Sequence, residues 1–234
     1  MNSFVSKAKG PTSKENYQGY FQSHPAAIDD EIALTVKYQV SRSVVRDAIK
    51  ILVGKGLLEV RRGIGTRVRP RTEWVLLDND VLAWHQSAPI RMDFISQLME
   101  IRLIIEPKAA RWACERGTDE MIMEIELAQK RMEEEKGSIE DFVVADAQFH
   151  QAIIRASNNE ILKTMEGVIF SALLSSIRIT NKDPRDNTDS IPFHSEVTSA
   201  IVQRNADLAE FSMTKLLGDA EKRLKKEYSM LKKN

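Results

Sequence analysis

The stretch from Ser41 to Arg71, SRSVVRDAIKILVGKGLLEVRRGIGTRVRPR, constrains this chain more than any other. Val44, Val45, Ala48, Ile49 and Leu52 recur at helical spacing, so its first half is expected to form an amphipathic helix. Ser41 suits an N-cap, and Gly54 and Gly56 end the helix. Two short strands follow, Leu57 to Arg62 and Thr66 to Arg69, joined at Gly63-Ile64-Gly65 as a tight hairpin. Between Lys37 and Arg71 there are ten Lys or Arg residues against two acids, Asp47 and Glu59. A helix with Ser41, Arg42, Ser43 and Arg46 at its exposed start, then a basic hairpin, has the layout of a winged helix-turn-helix. Such a helix enters the major groove N-terminus first, where arginine reads guanine by paired hydrogen bonds. Arg61, Arg62, Gly63, Gly65 and Thr66 of the hairpin suit phosphates or the minor groove. The plainer alternative is a solvated helix beside a charged hairpin. Against it, the charge is almost all of one sign and sits on the tip of a helix-plus-wing pattern.

Composition alone hides this feature, because 34 basic and 34 acidic side chains leave the chain neutral. Residues 1–73 nevertheless hold thirteen basic and seven acidic residues, a net of about +6, which the rest must balance. One basic end and one acidic end imply a nucleic-acid module joined to something else. A single cysteine, Cys114, excludes an internal disulfide and suits a reducing compartment. The start, MNSFVSKAKGPTSKEN, is polar and unlike a signal peptide. No apolar run approaches the roughly 18 residues of a membrane span, so a cytoplasmic protein with no membrane partner is expected.

Three parts are expected: a DNA-binding domain over 1–71, a linker with a short helix over 72–90, and a helical domain over 91–234. Residues 1–13 read as an arm, Lys14 to Ser23 as a short helix and Ile28 to Tyr38 as a better one. Asp78 is placed to cap a helix from Asn79 to Gln86. Beyond Met92 the pattern is of amphipathic helices, about 91–116, 119–136, 138–156, 159–180, 190–204 and 206–232, with Asp119 and Ser138 as caps and Pro107 as a kink. The fold class is therefore mainly α: a winged helix-turn-helix followed by an all-α bundle.

The chemistry of the bundle lies in polar residues on apolar faces. Arg102 shares a stripe with Leu98, Ile105 and Ala109, and a buried arginine needs an anion. That anion is either an internal carboxylate, such as Glu106 or Asp146, or the carboxylate of a ligand held by the guanidinium fork. In DFVVADAQFHQAII, Asp146 and His150 lie one turn apart on the face set by Phe142, Val143, Phe149 and Ile153. Two such side chains can chelate a divalent metal, or simply bond to each other. His194 begins an inward stripe with Val197 and Ile201. Together Asp146, His150 and His194 would make an open site with positions left for water or substrate. His24 and His85 fall outside this pattern, and Cys114 reads as a core thiol. No phosphate loop or nucleophile elbow is present.

These motifs resemble the GntR superfamily of bacterial transcription regulators, in its FadR branch with the helical metabolite-binding domain called FCD. The likeness is carried by IDDEIALTVKYQVSRSVVRDAIKILVGKGLLEVRRGIGTRV in the first domain, and by EIRLIIEPKAARWACERGTDE, DAQFHQAII and HSEV in the second. The segment WVLLDNDVLAW resembles the sugar-acid regulators of the galactonate-operon type. The resemblance implies a homodimer that binds a two-fold double-stranded operator and releases it when a small carboxylate or sugar-acid effector enters the bundle. It implies that Arg42 and Arg46 contact bases and that Gly63 and Gly65 shape the wing. It further implies that Arg102 holds the effector and that Asp146, His150 and His194 ligate a divalent metal, often zinc. Three positions depart from the pattern. The usual Pro-Gly turn before the first cap is absent at Ile28-Asp29-Asp30-Glu31; Ile32 stands where a basic residue is common; and Leu216 stands where metal-binding members carry a further histidine. The metal is then held by three residues with water or effector, or the site is weak or empty; three-ligand sites with open positions are chemically ordinary.

The reading that follows is a ligand-responsive DNA-binding repressor and not an enzyme. A metalloenzyme using the Asp/His/His site, or a helical adaptor that binds another protein through its acidic bundle, are the rival classes.

Overall fold

In the computed structural model the described residues are 27–87, 91–134, 139–180 and 189–231. The expected arm over 1–13, the helix from Lys14 to Ser23 and the cap at Ser138 lie outside them, as do His24 and the side chain of His85. The chain divides into two compact units, Met1–Ala88 and Pro89–Asn234.

The described part of the first unit begins with Ala27, bridged to Arg67, and with Ile28, whose N–H bonds to Thr66 O at 3.1 Å. Ile28 was expected to start a helix; instead it extends the wing sheet. Helix α1 (Glu31–Tyr38) starts three residues later because Asp30 caps it, accepting from Ala33 N at 2.8 Å. Gln39, at φ 54°, makes the turn into α2 (Arg42–Gly54), the expected recognition helix. Ser41 caps α2, accepting from Val44 N. Only Val45 and Ile49 of its stripe are fully buried, against Leu34 of α1. Val44 is exposed at 52 %.

Strands β1 (Leu58–Arg61) and β2 (Gly65–Val68) pair antiparallel, Leu58 opposite Val68 and Arg61 opposite Gly65. β1 is one residue shorter at each end than expected, and β2 keeps its expected length but starts one residue earlier, because Gly65 pairs with Arg61 in the ladder rather than serving in the loop. Gly63 at φ 76° and Gly65 at φ 100° supply the left-handed backbone that closes the hairpin. After it the chain is stapled back: Val75 N bonds to Lys55 O at 3.0 Å, and Trp74 Nε1 to Arg69 O at 2.9 Å. Asp78 caps α3 (Asn79–Ser87) through Asp80 N and Val81 N, and its carboxylate also takes Lys55 Nζ at 2.7 Å.

The second unit is wholly helical among its described residues: α4 (Met92–Arg116), α5 (Asp119–Glu134), α6 (Ile139–Ala156), α7 (Glu160–Thr164), α8 (Glu166–Thr180), α9 (Ile191–Val202) and α10 (Ala206–Leu231). Helix α4 packs along α10, α5 against α6, and α9 against α10. Pro107 is accommodated within α4, which runs unbroken through it. Two expectations are corrected. The cap of α5 is Thr118, whose Oγ1 accepts from Met121 N at 3.3 Å, and Asp119 pairs instead with Arg204. The single helix expected over 159–180 breaks at Met165, whose N–H bonds back only to Leu162 O and Lys163 O, too short a reach to continue an α-helix. The core is continuous through Ile125, Phe149, Ile153, Val197, Ile201, Met213 and Leu217. Each such side chain removed from water contributes about 1.5–3 kcal/mol before entropy is counted.

Candidate nucleic-acid interface and polar centre

The two ends of the protein present different chemistry. In the first unit Ser41, Arg42, Ser43 and Arg46 are all exposed at the start of α2, and Arg61, Arg62, Gly63 and Gly65 are exposed on the hairpin, with Thr66 half-buried. Arg46 Nε is held by Glu31 at 2.8 Å, and Arg61 is paired with Glu59 at 3.0 Å. Arg42 and Arg62 have no ion pair among the described residues. Exposed pairs of this kind are worth about 0–1 kcal/mol, so Arg46 and Arg61 can exchange their carboxylates for a phosphate or a base edge.

In the second unit, three helices bring together residues that the sequence places far apart. Asp146 and His150 come from α6, His194 from α9, and Arg102 with Glu106 from α4. All five are buried, Glu106 to 1 %. One ligand atom from each of Asp146, His150 and His194 lies within 4.8 Å of the others. Asp146 Oδ1 is 3.0 Å from His194 Nε2 and 3.2 Å from His150 Nε2. His194 Nδ1 is 2.8 Å from Ser190 O. A carbonyl only accepts, so that nitrogen carries the proton. His150 Nδ1 stands against Glu106 Oε2. Phe149 closes the site edge-on against both imidazoles, at 5.4 and 5.1 Å between centroids.

This arrangement has an electrostatic consequence. With both Nδ1 atoms donating outward, both Nε2 atoms aim a lone pair at a carboxylate oxygen. Three acceptors converge, and they rest together only with a cation among them, either a proton or a metal. Two imidazoles and a carboxylate form a donor set that fits a divalent cation and leaves positions open. Without a metal, protons fill that role: burial opposes the charge on Asp146, but hydrogen bonds donated by His150 and His194 outweigh it and hold the carboxyl well below the usual range. Burial likewise pulls His150 down, but the Glu106 charge and bonds to Asp146 and Glu106 raise it to about 8.

Arg102 is not free to wait for a ligand with its whole fork. Its Nε donates to Glu106 at 2.5 Å, the internal partner that the pattern left open. Its Nη2 lies 3.5 Å from His150 Nε2, on the side of the three ligands. Leu216 is buried in the core of α10, so a fourth protein ligand, a third histidine, has no counterpart at that position. Glu106 was legible as a partner for Arg102 four residues away; its contact with His150 was not. Cys114 is a buried core thiol, and burial pushes it up to about 11.

A winged helix-turn-helix joined to a separate helical unit with a buried polar centre defines a DNA-binding regulator. Comparison with known families makes the class specific. The family profile described as "Bacterial regulatory proteins, gntR family" matches residues 30–68, and that described as "FCD domain" matches residues 97–219. The chain belongs to the GntR family of transcription regulators that carry an FCD domain. It is 30% identical over 197 residues to the galactonate operon transcriptional repressor of Escherichia coli (strain K12), covering 83% of this chain and 86% of that one. It is 30% identical over 201 residues to the regulator LutR of Bacillus subtilis, covering 83% and 89%. Among solved structures, Lar, which controls expression of the Listeria monocytogenes agr system, superposes with a TM-score of 0.63 over 93% of this chain and 98% of that one. Its 16% identity makes that a likeness of fold alone. These relatives are regulators rather than enzymes, and the metalloenzyme alternative falls with that finding. Among the described residues no helix is long and apolar enough to cross a membrane.

Proposed function

We propose that this regulator is a metal-assisted repressor, which binds its operator as a homodimer and releases it when a small carboxylate or sugar acid enters the helical unit. The observation that carries the reading is the convergence of Asp146, His150 and His194 beside Arg102. The names of two relatives support it: one represses a galactonate operon, and NanR of Citrobacter rodentium is also a repressor.

Arg42 and Arg46 would read bases from the start of α2, flanked by Ser41 and Ser43. Arg61, Arg62 and Thr66 would meet the backbone from a wing whose turn Gly63 and Gly65 make possible. In the helical unit Asp146, His150 and His194 would hold the metal, of which zinc suits the nitrogen-rich donor set best. When bound, the metal supplies a positive centre with open positions for an acid. Arg102 offers its Nη edge to the same anion. Leu216 gives no ligand, so an effector oxygen or water completes the coordination. Release of DNA then requires only that the acid bind one dimer state better than another, by the same factor that operator affinity falls.

The experiment is a calorimetric titration of sugar acids and other small carboxylates into zinc-loaded and chelated protein, alongside operator binding. One acid is expected to bind the loaded protein and to weaken operator affinity, with both effects lost on chelation. Acid binding that is indifferent to chelation and leaves operator affinity unchanged would remove both the metal and the effector from the mechanism.

A further inference from the structure

Glu106 is the one member of the polar centre with no place in that scheme. It is 1 % exposed and lies one turn after Arg102 on α4. A carboxylate so deeply buried is costly unless every oxygen is engaged. Its Oε1 accepts from Arg102 Nε at 2.5 Å. Its Oε2 faces His150 Nδ1 on α6, and neither of these two atoms has another partner. The carboxylate therefore bridges the guanidinium and the imidazole.

The bridge acts on the far side of the ring. Both ring nitrogens of His150 face carboxylates, which only accept; once a cation takes the Nε2 lone pair, the single ring proton sits on Nδ1, where Glu106 accepts it. Nε2, 3.2 Å from Asp146 Oδ1, keeps its lone pair for a cation. His194 reaches the same tautomer through a neutral acceptor, Ser190 O at 2.8 Å. The two imidazoles are thus held alike, one by a carbonyl and one by a charge. A charged acceptor behind a ligating imidazole makes the ring a stronger donor and fixes its orientation.

We propose that Glu106 is a positioning residue of the metal site, holding His150 in the Nδ1–H tautomer with one oxygen and Arg102 beside the site with the other. Losing a partner of this kind costs metal affinity about 10–100-fold. The same bridge makes the guanidinium and the metal ligand share one carboxylate, so metal and effector are bound by groups that cannot move independently.

The inference rests on Asp146, His150 and His194 being ligands, and the test separates the two. Zinc affinity of the full chain is measured by competition with a chromophoric chelator for the parent, Glu106→Gln, Glu106→Ala and His194→Ala. Glu106→Gln, which keeps an acceptor but loses the charge, is expected to weaken zinc about 10-fold, and Glu106→Ala towards 100-fold. Equal affinity in the parent and both Glu106 variants overturns the positioning role and leaves the three-ligand site standing. A parent that binds zinc no better than His194→Ala overturns both.

Variants at Glu106 leave Arg102 buried and unpaired and can fail to fold, so a second measurement uses the parent alone. Imidazole nitrogen-15 shifts are recorded on the zinc-loaded protein, with His150 assigned by its loss in His150→Gln. A His150 protonated on Nδ1 and bound through Nε2 is expected. A proton on Nε2 overturns the proposal, whatever the affinities.

Discussion

At the scale of single residues, the two ends of the protein use charge in opposite ways. Arg46 is exposed and only loosely committed to Glu31, at 2.8 Å. Replacing it, as Arg46→Ala, is expected to cost about 1–3 kcal/mol at one base pair and to relax preference there. Competition binding against single-base variants of an operator obtained by in vitro selection measures this; unchanged discrimination would mean that Arg46 reads nothing. The buried centre behaves differently, because its charges have nowhere to go. In metal-free protein, burial pushes Glu106 up, but the charges of Arg102 and His150 bring it down to about 2 from 4.5. A depressed carboxylate contributes stability that is present above about 4.5 and is lost as pH falls towards 2. His150, raised from 6.5 to about 8, contributes stability that is fully present below about 6.5 and is lost as pH rises through 8. Chelated protein should therefore melt highest between those limits, near pH 4.5–6.5. Melting temperatures recorded across this range check the sign, and a midpoint that keeps climbing from about pH 6 to 9 contradicts it.

At the scale of elements, the strongest constraint on the first unit is where the chain returns over α2. Gly56 has φ +72°, and a Cβ there would come within 2.4 Å of Glu73 O. Both the backbone conformation and the contact exclude a side chain, so Gly56→Ala is expected to destabilise this unit by about 1–3 kcal/mol. Denaturant unfolding gives the value, and a loss below about 0.5 kcal/mol would show that the loop simply moves aside. The element boundaries also show what local pattern can tell. Ser41, Asp78 and the glycines of the hairpin were legible because a cap or a left-handed turn is decided within four residues. Ile28 was misplaced because a strand is made by its partner, here Thr66, and not by its own neighbours. Asp119 was misread for a related reason: its carboxylate is taken by Arg204 from the turn after α9, at 2.7 Å.

At the scale of the whole molecule, neutrality conceals the division of labour. The 34 basic and 34 acidic residues cancel, yet residues 1–73 carry a net of about +6, and Arg42, Arg46, Arg61 and Arg62 are exposed on α2 and the hairpin. Operator affinity should accordingly be steep in salt, falling about 10³–10⁵-fold between 50 and 200 mM if a dimer makes 6–10 phosphate contacts. Filter binding or anisotropy across that range gives the slope, and an affinity that hardly varies would argue that the basic face is not the contact.

The sequence by itself determined the helix-and-hairpin stretch, the helical character of the remainder, and that Arg102, Asp146, His150 and His194 turn inward. Each of these is written in caps and periodicities that span a few residues. Only the tertiary structure decided that Arg102, Asp146, His150 and His194 meet, and that Glu106 stands between two of them. Asp146 and His194 are 48 residues apart in the chain, as are Arg102 and His150. Periodicity says that a side chain leaves its helix on the buried face. Which buried residues then touch depends on how α4, α6 and α9 are rotated and slid against one another, and that is settled by the packing of the whole core around Phe149.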